Sequence, residues 1–154
     1  MTTFNPQLPM IDPGLVSVTF RKLSPREIVD LTRRAGLAGI EWGGDVHAPH
    51  GDVNRAREVA AMTQDAGLRV MAYGSYYRVG HEQDLPFERA LLSAQALGAP
   101  VIRVWAGDRG SADADESCWR RVVSESRRIG DLAAGAGLRV VFEFHSRTLT
   151  DTND

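Results

Sequence analysis

The chain has 154 residues, with 18 basic against 20 acidic side chains, 43% apolar and 25% charged content, and a single cysteine. That is the composition of one globular domain. A formal charge of −2 with no basic run argues against a nucleic-acid surface, which needs clustered Lys and Arg. No segment is apolar for long enough to span a bilayer, and lone Cys118 cannot build a disulfide framework. The start Met1-Thr-Thr-Phe-Asn-Pro lacks the charged and apolar stretches of a signal peptide, so the expected compartment is the cytoplasm.

Residues 1–14 read as a proline-containing leader, and 15–154 as the domain. A first strand is predicted over Leu15–Phe20. Ser24-Pro25-Arg26-Glu27 then forms a capping box with proline at the first helical position, followed by Ile28, Leu31, Thr32 and Ala35 at helical spacing. A second strand begins near Gly39. The second helix, about Val53 to Ala66, turns Val59 and Met62 inward, and a third strand begins near Arg69. After Pro86 a third helix carries Phe87, Ala90, Leu91, Ala94 and Leu97 on one face, and leads to a strand from Val101. The fourth helix, about Glu116 to Ala134, presents Trp119, Val122, Val123, Ile129 and Ala133, and a fifth strand follows from Arg139. Gly36, Gly67, Gly98 and Gly137 stand where each helix needs a left-handed C-terminal cap.

Strands alternating with helices specify parallel βαβ units. Five strands and four helices are predicted, with strand starts recurring every 31 residues on average. Side chains alternate between the two faces of a strand. One face collects Val16, Val18 and Phe20, then Ile40, Val70 and Ala72, Ile102 and Val104, and Val140, Phe142 and Phe144; this is the face for helices. The other collects Ser17, Thr19, Glu41, Met71, Tyr73, Arg103, Trp105, Val141, Glu143 and His145. Helices on one side and polar groups at the carboxyl ends of strands on the other specify a (β/α)8 TIM barrel. A doubly wound sheet needs helices on both faces and usually a Gly-rich phosphate loop, and neither GxGxxG nor GxxxxGK[ST] occurs. Eight units at this period need roughly 250 residues. The fold class expected is therefore α/β, a partial barrel whose C-terminal units are missing.

Glu143 is the sharpest chemical signal. A carboxylate following Val-Val-Phe in a strand expected to be buried needs a metal, a proton or an ion pair, with Arg103 on the neighbouring strand as the partner. His145, two residues on, shares its face and suits metal binding, proton transfer or orientation of a hydroxyl. Glu41-Trp42 ends the second strand, where an aromatic beside a carboxylate suits a sugar. His47 and His50 follow in a loop, but Pro49 breaks the helix that would align an HxxH metal pair. Arg103 either holds a substrate phosphate or carboxylate, or neutralises Glu41 and Glu143. Trp105 points inward with it, and Tyr73 and Tyr76 reach the same mouth or the core. The acidic run Ser111–Ser117 reads as a helix N-terminus complementing the dipole.

With G-I-E-W at 39–42, R-V-W-A-G at 103–107 and G-L-R-V-V-F-E-F-H at 137–145, the sequence resembles the xylose isomerase-like TIM-barrel superfamily, the sugar phosphate isomerase/epimerase group. The resemblance implies a divalent metal (Mn²⁺, Mg²⁺, Co²⁺ or Zn²⁺) held by Glu, Asp, His and Glu from strands five to eight. Glu143 matches the first ligand and the residue that moves the substrate proton; His145 and Glu41 match positions near the substrate. The other three ligands have no counterpart in this chain. The implied reaction is proton transfer next to a carbonyl of a sugar or sugar phosphate through an enediolate, with Glu143 as catalyst and metal ligand; with the residues read from the strand ends, the expected substrate-binding set is Glu41, Trp42, His47, Tyr73, Arg103, Trp105 and His145. A metal-dependent phosphodiesterase like the apurinic endonucleases is the competing enzyme class, needing more histidines on early strands and a cationic groove. A non-catalytic fragment that self-associates through open sheet edges is the non-enzymatic alternative.

Overall fold

The four helices form where their end signals stand. In the computed structural model, which describes residues 11–153, the element order is β1 (Gly14–Val16), α1 (Pro25–Arg34), β2 (Gly39–Gly43), α2 (Val53–Asp65), β3 (Arg69–Arg78), α3 (Phe87–Leu97), β4 (Val101–Trp105), α4 (Glu116–Gly135) and β5 (Arg139–Phe142). The capping box is complete: the Glu27 carboxylate accepts from the Ser24 backbone N–H at 2.7 Å, and the Ser24 hydroxyl accepts from Glu27 N–H. Asp52 and Asp115 cap α2 and α4 through the backbone N–H groups of Arg55 and Cys118. Gly36, Gly67, Gly98 and Gly137 all have φ between +67° and +74°, and a Cβ there would meet nothing within 4 Å, so backbone conformation alone selects glycine. Most of the leader, residues 1–10, lies outside the described residues.

All five strands are parallel and lie in sequence order, β1-β2-β3-β4-β5. An order that never reverses puts every right-handed crossover on the same face, as in a barrel; a doubly wound sheet reverses. The core lies between that face and the helices, where Ile40, Trp42, Tyr73, Ile102 and Val104 meet Ile28, Val59, Phe87, Leu97 and Ile129, all of them fully buried.

Three expectations about the strands change. The first strand stops at Val16, and Ser17–Phe20 coils into a 3₁₀ turn. Its pivot is buried Ser17, whose hydroxyl accepts from Gly43 N–H at 2.9 Å and lies 3.0 Å from His47 Nδ1. Second, β3 runs through to Arg78 and carries an irregularity against β2: Ile40 pairs with Val70, but Glu41 pairs with Ala72. The extra residue, Met71, moves everything after it to the opposite face. Third, β5 is an edge strand, so Phe142 and Phe144 are exposed rather than covered by helices, Phe144 to 61%. On α4, Val122, Ile129 and Ala133 are buried, but Trp119 and Val123 are not.

Candidate active site

The carboxyl ends of β2, β4 and β5 bring three charged side chains together on the inner face. Arg103 of β4 donates from Nε to Glu41 Oε1 at 2.8 Å and from its terminal nitrogen to Glu143 Oε2. Trp105 Nε1–H donates to the same Oε2 of Glu143. Among the described residues Glu143 Oε1 accepts no hydrogen bond, which leaves it open to a ligand. Burial acts to lower the Arg103 guanidinium, but Glu41 and Glu143 outweigh that and hold it above its ordinary value, so it stays charged. Both readings of Arg103 began from the same position; in the structure it bridges the two carboxylates. Glu143 is also less buried than its strand suggested, with its side chain 33% exposed, because β5 has a neighbour on one side only.

Glycine makes this bridge sterically feasible. Gly74 of β3 lies directly between, and a Cβ there would sit 2.6 Å from an Arg103 nitrogen and 2.7 Å from Glu41 Oε1. An aromatic wall stands beside the charges. The Trp105 ring lies 4.6 Å from the His145 ring and 5.1 Å from that of Tyr76, and the Arg78 guanidinium stacks on it at 4.4 Å. His145 Nδ1 is 2.7 Å from the Ser146 carbonyl, which can only accept, so Nδ1 carries a proton. Tyr76 adopts φ +57° and its hydroxyl accepts from Arg21, which is also paired with Asp45.

Three residues expected at the substrate lie behind the sheet instead. Trp42 is fully buried and donates from Nε1 to Thr63 of α2 at 3.1 Å. Tyr73, turned by the irregularity in β3, is fully buried; its hydroxyl donates to the Ala48 carbonyl at 2.9 Å and lies 2.8 Å from His50 Nδ1. Burial drives its pKa well above the ordinary tyrosine value. His47 is buried between Ser17 and the Leu23 carbonyl, 3.2 Å from Nε2, and burial lowers its pKa, as it does for His50. All three are core residues, and the two loop histidines make internal hydrogen bonds.

Glu41, Arg103, Trp105, Glu143 and His145 are thus the expected residues that converge. Gly74, Arg78 and buried Ser75, whose hydroxyl donates to the Arg103 carbonyl at 2.7 Å, join them without any signal in the strand pattern. Among the described residues no three His, Cys, Asp or Glu side chains gather as a metal site. Glu143 offers one carboxylate, already engaged by two donors. These residues alone therefore do not fit the divalent metal that the resemblance implies.

Comparison with known proteins agrees with this architecture. The chain is 29% identical over 153 residues to the 3-dehydroshikimate dehydratase of Bacillus anthracis, covering 90% of this chain and 53% of that protein. Among solved structures, the probable 3-DHS dehydratase from Bacillus anthracis superposes with a TM-score of 0.73 at 25% identity, covering 92% of this chain and 55% of that one. The 3-keto-D-glucoside 4-epimerase from E. coli gives 0.68 at 21% identity, with 90% and 58% covered, and a D-psicose 3-epimerase gives 0.64 at 14%, with 84% and 51%. The latter two speak for the fold alone. The chain spans about half the length of the relatives it matches. Residues 29–154 match the family model itself, and the chain belongs to the xylose isomerase-like TIM barrel family.

Proposed function

We propose that the inner-face cluster is part of a site that removes a proton from the carbon next to a carbonyl in a small polyhydroxylated substrate. The observation that carries this reading is Glu143. Its Oε2 is fixed by Arg103 and Trp105, while Oε1 is free to receive a proton. A positioned carboxylate of this kind is a general base. Arg103 cannot exchange protons at neutral pH and serves to hold Glu143 and Glu41 in place. The aromatic wall of Trp105 and Tyr76 suits the C–H face of a sugar ring, and His145 a hydroxyl.

The resulting enediolate has three exits. Return of the proton to the other face epimerises, return to the neighbouring carbon isomerises, and loss of a β-hydroxyl dehydrates. The likeness to a dehydratase supports this first step.

The test is solvent exchange. In D₂O, NMR should show loss of the proton next to the carbonyl of D-psicose, D-fructose or 3-dehydroshikimate on incubation with the protein, and Glu143→Gln should abolish it. Exchange at the unchanged rate in that variant, or with none of the three compounds in the parent protein, refutes the proposal.

A further inference from the structure

A cavity adjoins the cluster beyond the carboxyl end of β5, with a volume of about 620 Å³ and walls formed by Arg78, Asp108, His145, Ser146 and Arg147. From its charges we infer that it is an anion-binding subsite, so that the molecule acted on carries a carboxylate or phosphate. The inference rests on the proton-transfer reading only in treating the bound anion as part of the substrate.

Arg103 is spent on two carboxylates and has no charge to spare for a ligand. Arg78 and Arg147 differ: among the described residues neither has a carboxylate within salt-bridge distance. The one acidic residue on the wall, Asp108, is itself engaged, its carboxylate 3.0 Å from His81 Nδ1. Two guanidinium groups without an ion-pair partner and one carboxylate thus line the cavity, a net positive charge, and a planar guanidinium fork matches carboxylate and phosphate oxygens alike.

Arg78 is held by its side chain and Arg147 by its backbone. Arg78 stacks on the Trp105 ring at 4.4 Å and donates to the Gly107 carbonyl at 3.2 Å. Arg147 has φ +61°, a left-handed conformation that a non-glycine residue keeps only when its surroundings impose it. The surroundings do so here: Leu149 N–H donates to the Ala106 carbonyl at 2.8 Å, the Thr148 hydroxyl to the His145 carbonyl at 2.7 Å and the Thr150 hydroxyl to the Glu143 carbonyl at 2.7 Å. These bonds tie the turn bearing Arg147 to the strand end bearing Glu143. The Trp105 indole connects the two sites, with Arg78 on its ring and Glu143 on its Nε1–H. An anionic group at Arg78 would therefore lie beside the carbon presented to Glu143.

Calorimetric titration tests this, with 3-dehydroshikimate and D-fructose 6-phosphate as charged compounds, D-fructose as the neutral one, and malonate and inorganic phosphate as bare anions. At least one charged compound should bind more tightly than D-fructose, and Arg78→Met and Arg147→Met should each weaken it by about tenfold or more, the loss of a charge-assisted hydrogen bond. Arg78→Lys should recover part of the loss. Preference for malonate or for phosphate identifies the anion. Binding of D-fructose as tight as that of the charged compounds, no binding of any charged compound, or affinities within about twofold of the parent in the Met variants overturns the subsite. Arg147 has an exposed side chain, so its variant stays informative even if Arg78→Met folds poorly. Exchange and binding measured side by side separate the two proposals: arginine-dependent anion binding by a parent protein that shows no proton exchange sinks the base and spares the subsite, and exchange without arginine-dependent binding does the reverse.

Discussion

Trp42 and Glu41 are neighbours in β2 and lie in different physical worlds. One is sealed against α2 with its indole N–H on Thr63; the other reaches across β3 to Arg103 and keeps some contact with solvent. The same division separates Tyr73 from Gly74 in β3 and Ile102 from Arg103 in β4. The helix-side face is apolar with its few polar groups paired internally, and it supplies rigidity. The inner face holds its charges at the strand ends, where water and ligands can reach them. Being aromatic or polar near a strand's end does not make a residue part of the site; the face does.

Mutations on opposite sides of the sheet should divide accordingly. The largest loss is expected for Trp42→Ala, about 3–5 kcal/mol by urea unfolding, as for truncation of any fully buried large aromatic. Arg103→Met comes next. It leaves two carboxylates facing each other without their cation, and because all three groups keep some solvent contact the cost should be about 1–3 kcal/mol, below that of a fully buried pair. Gly74→Ala should cost about 1–2 kcal/mol and lengthen the Arg103–Glu41 contact in a crystal structure of the variant, since the added methyl falls inside both side chains. A Trp42→Ala protein as stable as the parent would erase the distinction between the faces.

The pH dependence is the smallest effect and belongs to the helix side. His47 and His50 have pKa values lowered by burial from an ordinary 6.5, so the unfolded chain binds more protons than the folded one below that pH. Stability is therefore complete above about pH 6.5 and falls as the pH drops from there toward the folded-state values. Denaturant midpoints across pH 5 to 8 should show this decline, and His50→Gln should flatten it. A rise in stability on acidification would reverse the assignment of these histidines to the interior.

Helix positions, strand order and most of the charged cluster were legible in the sequence because each rests on local chemistry: a capping box, a glycine cap, an alternation of side chains. Glu41, Arg103, Trp105, Glu143 and His145 met as expected for that reason. Tyr73 did not, because alternation presumes an uninterrupted ladder, and Met71 is inserted opposite no residue of β2. Trp42 was misplaced by chemistry rather than by counting: it alternates correctly with Glu41 and faces the helices, as its neighbour Ile40 predicts two residues earlier. His47 depended on Ser17 leaving β1, which no pattern announces. Arg78 gave no signal because a charged residue after the apolar part of a strand is ordinary on any surface.

Gly74 has a consequence for how this sequence can vary. Strands β2 and β4 stand two strand spacings apart, about 9.6 Å, too far for neighbouring side chains to meet if anything rises from the strand between them. The Glu41–Arg103 contact exists through a gap one methyl group wide. Positions 41, 74 and 103 therefore form a single unit spread over three strands: a side chain gained at 74 presses on the bridge and lengthens it, and the close contact needs glycine there. Among relatives of this protein, glycine at 74 should be more frequent where Glu41 and Arg103 are both kept than where either has changed.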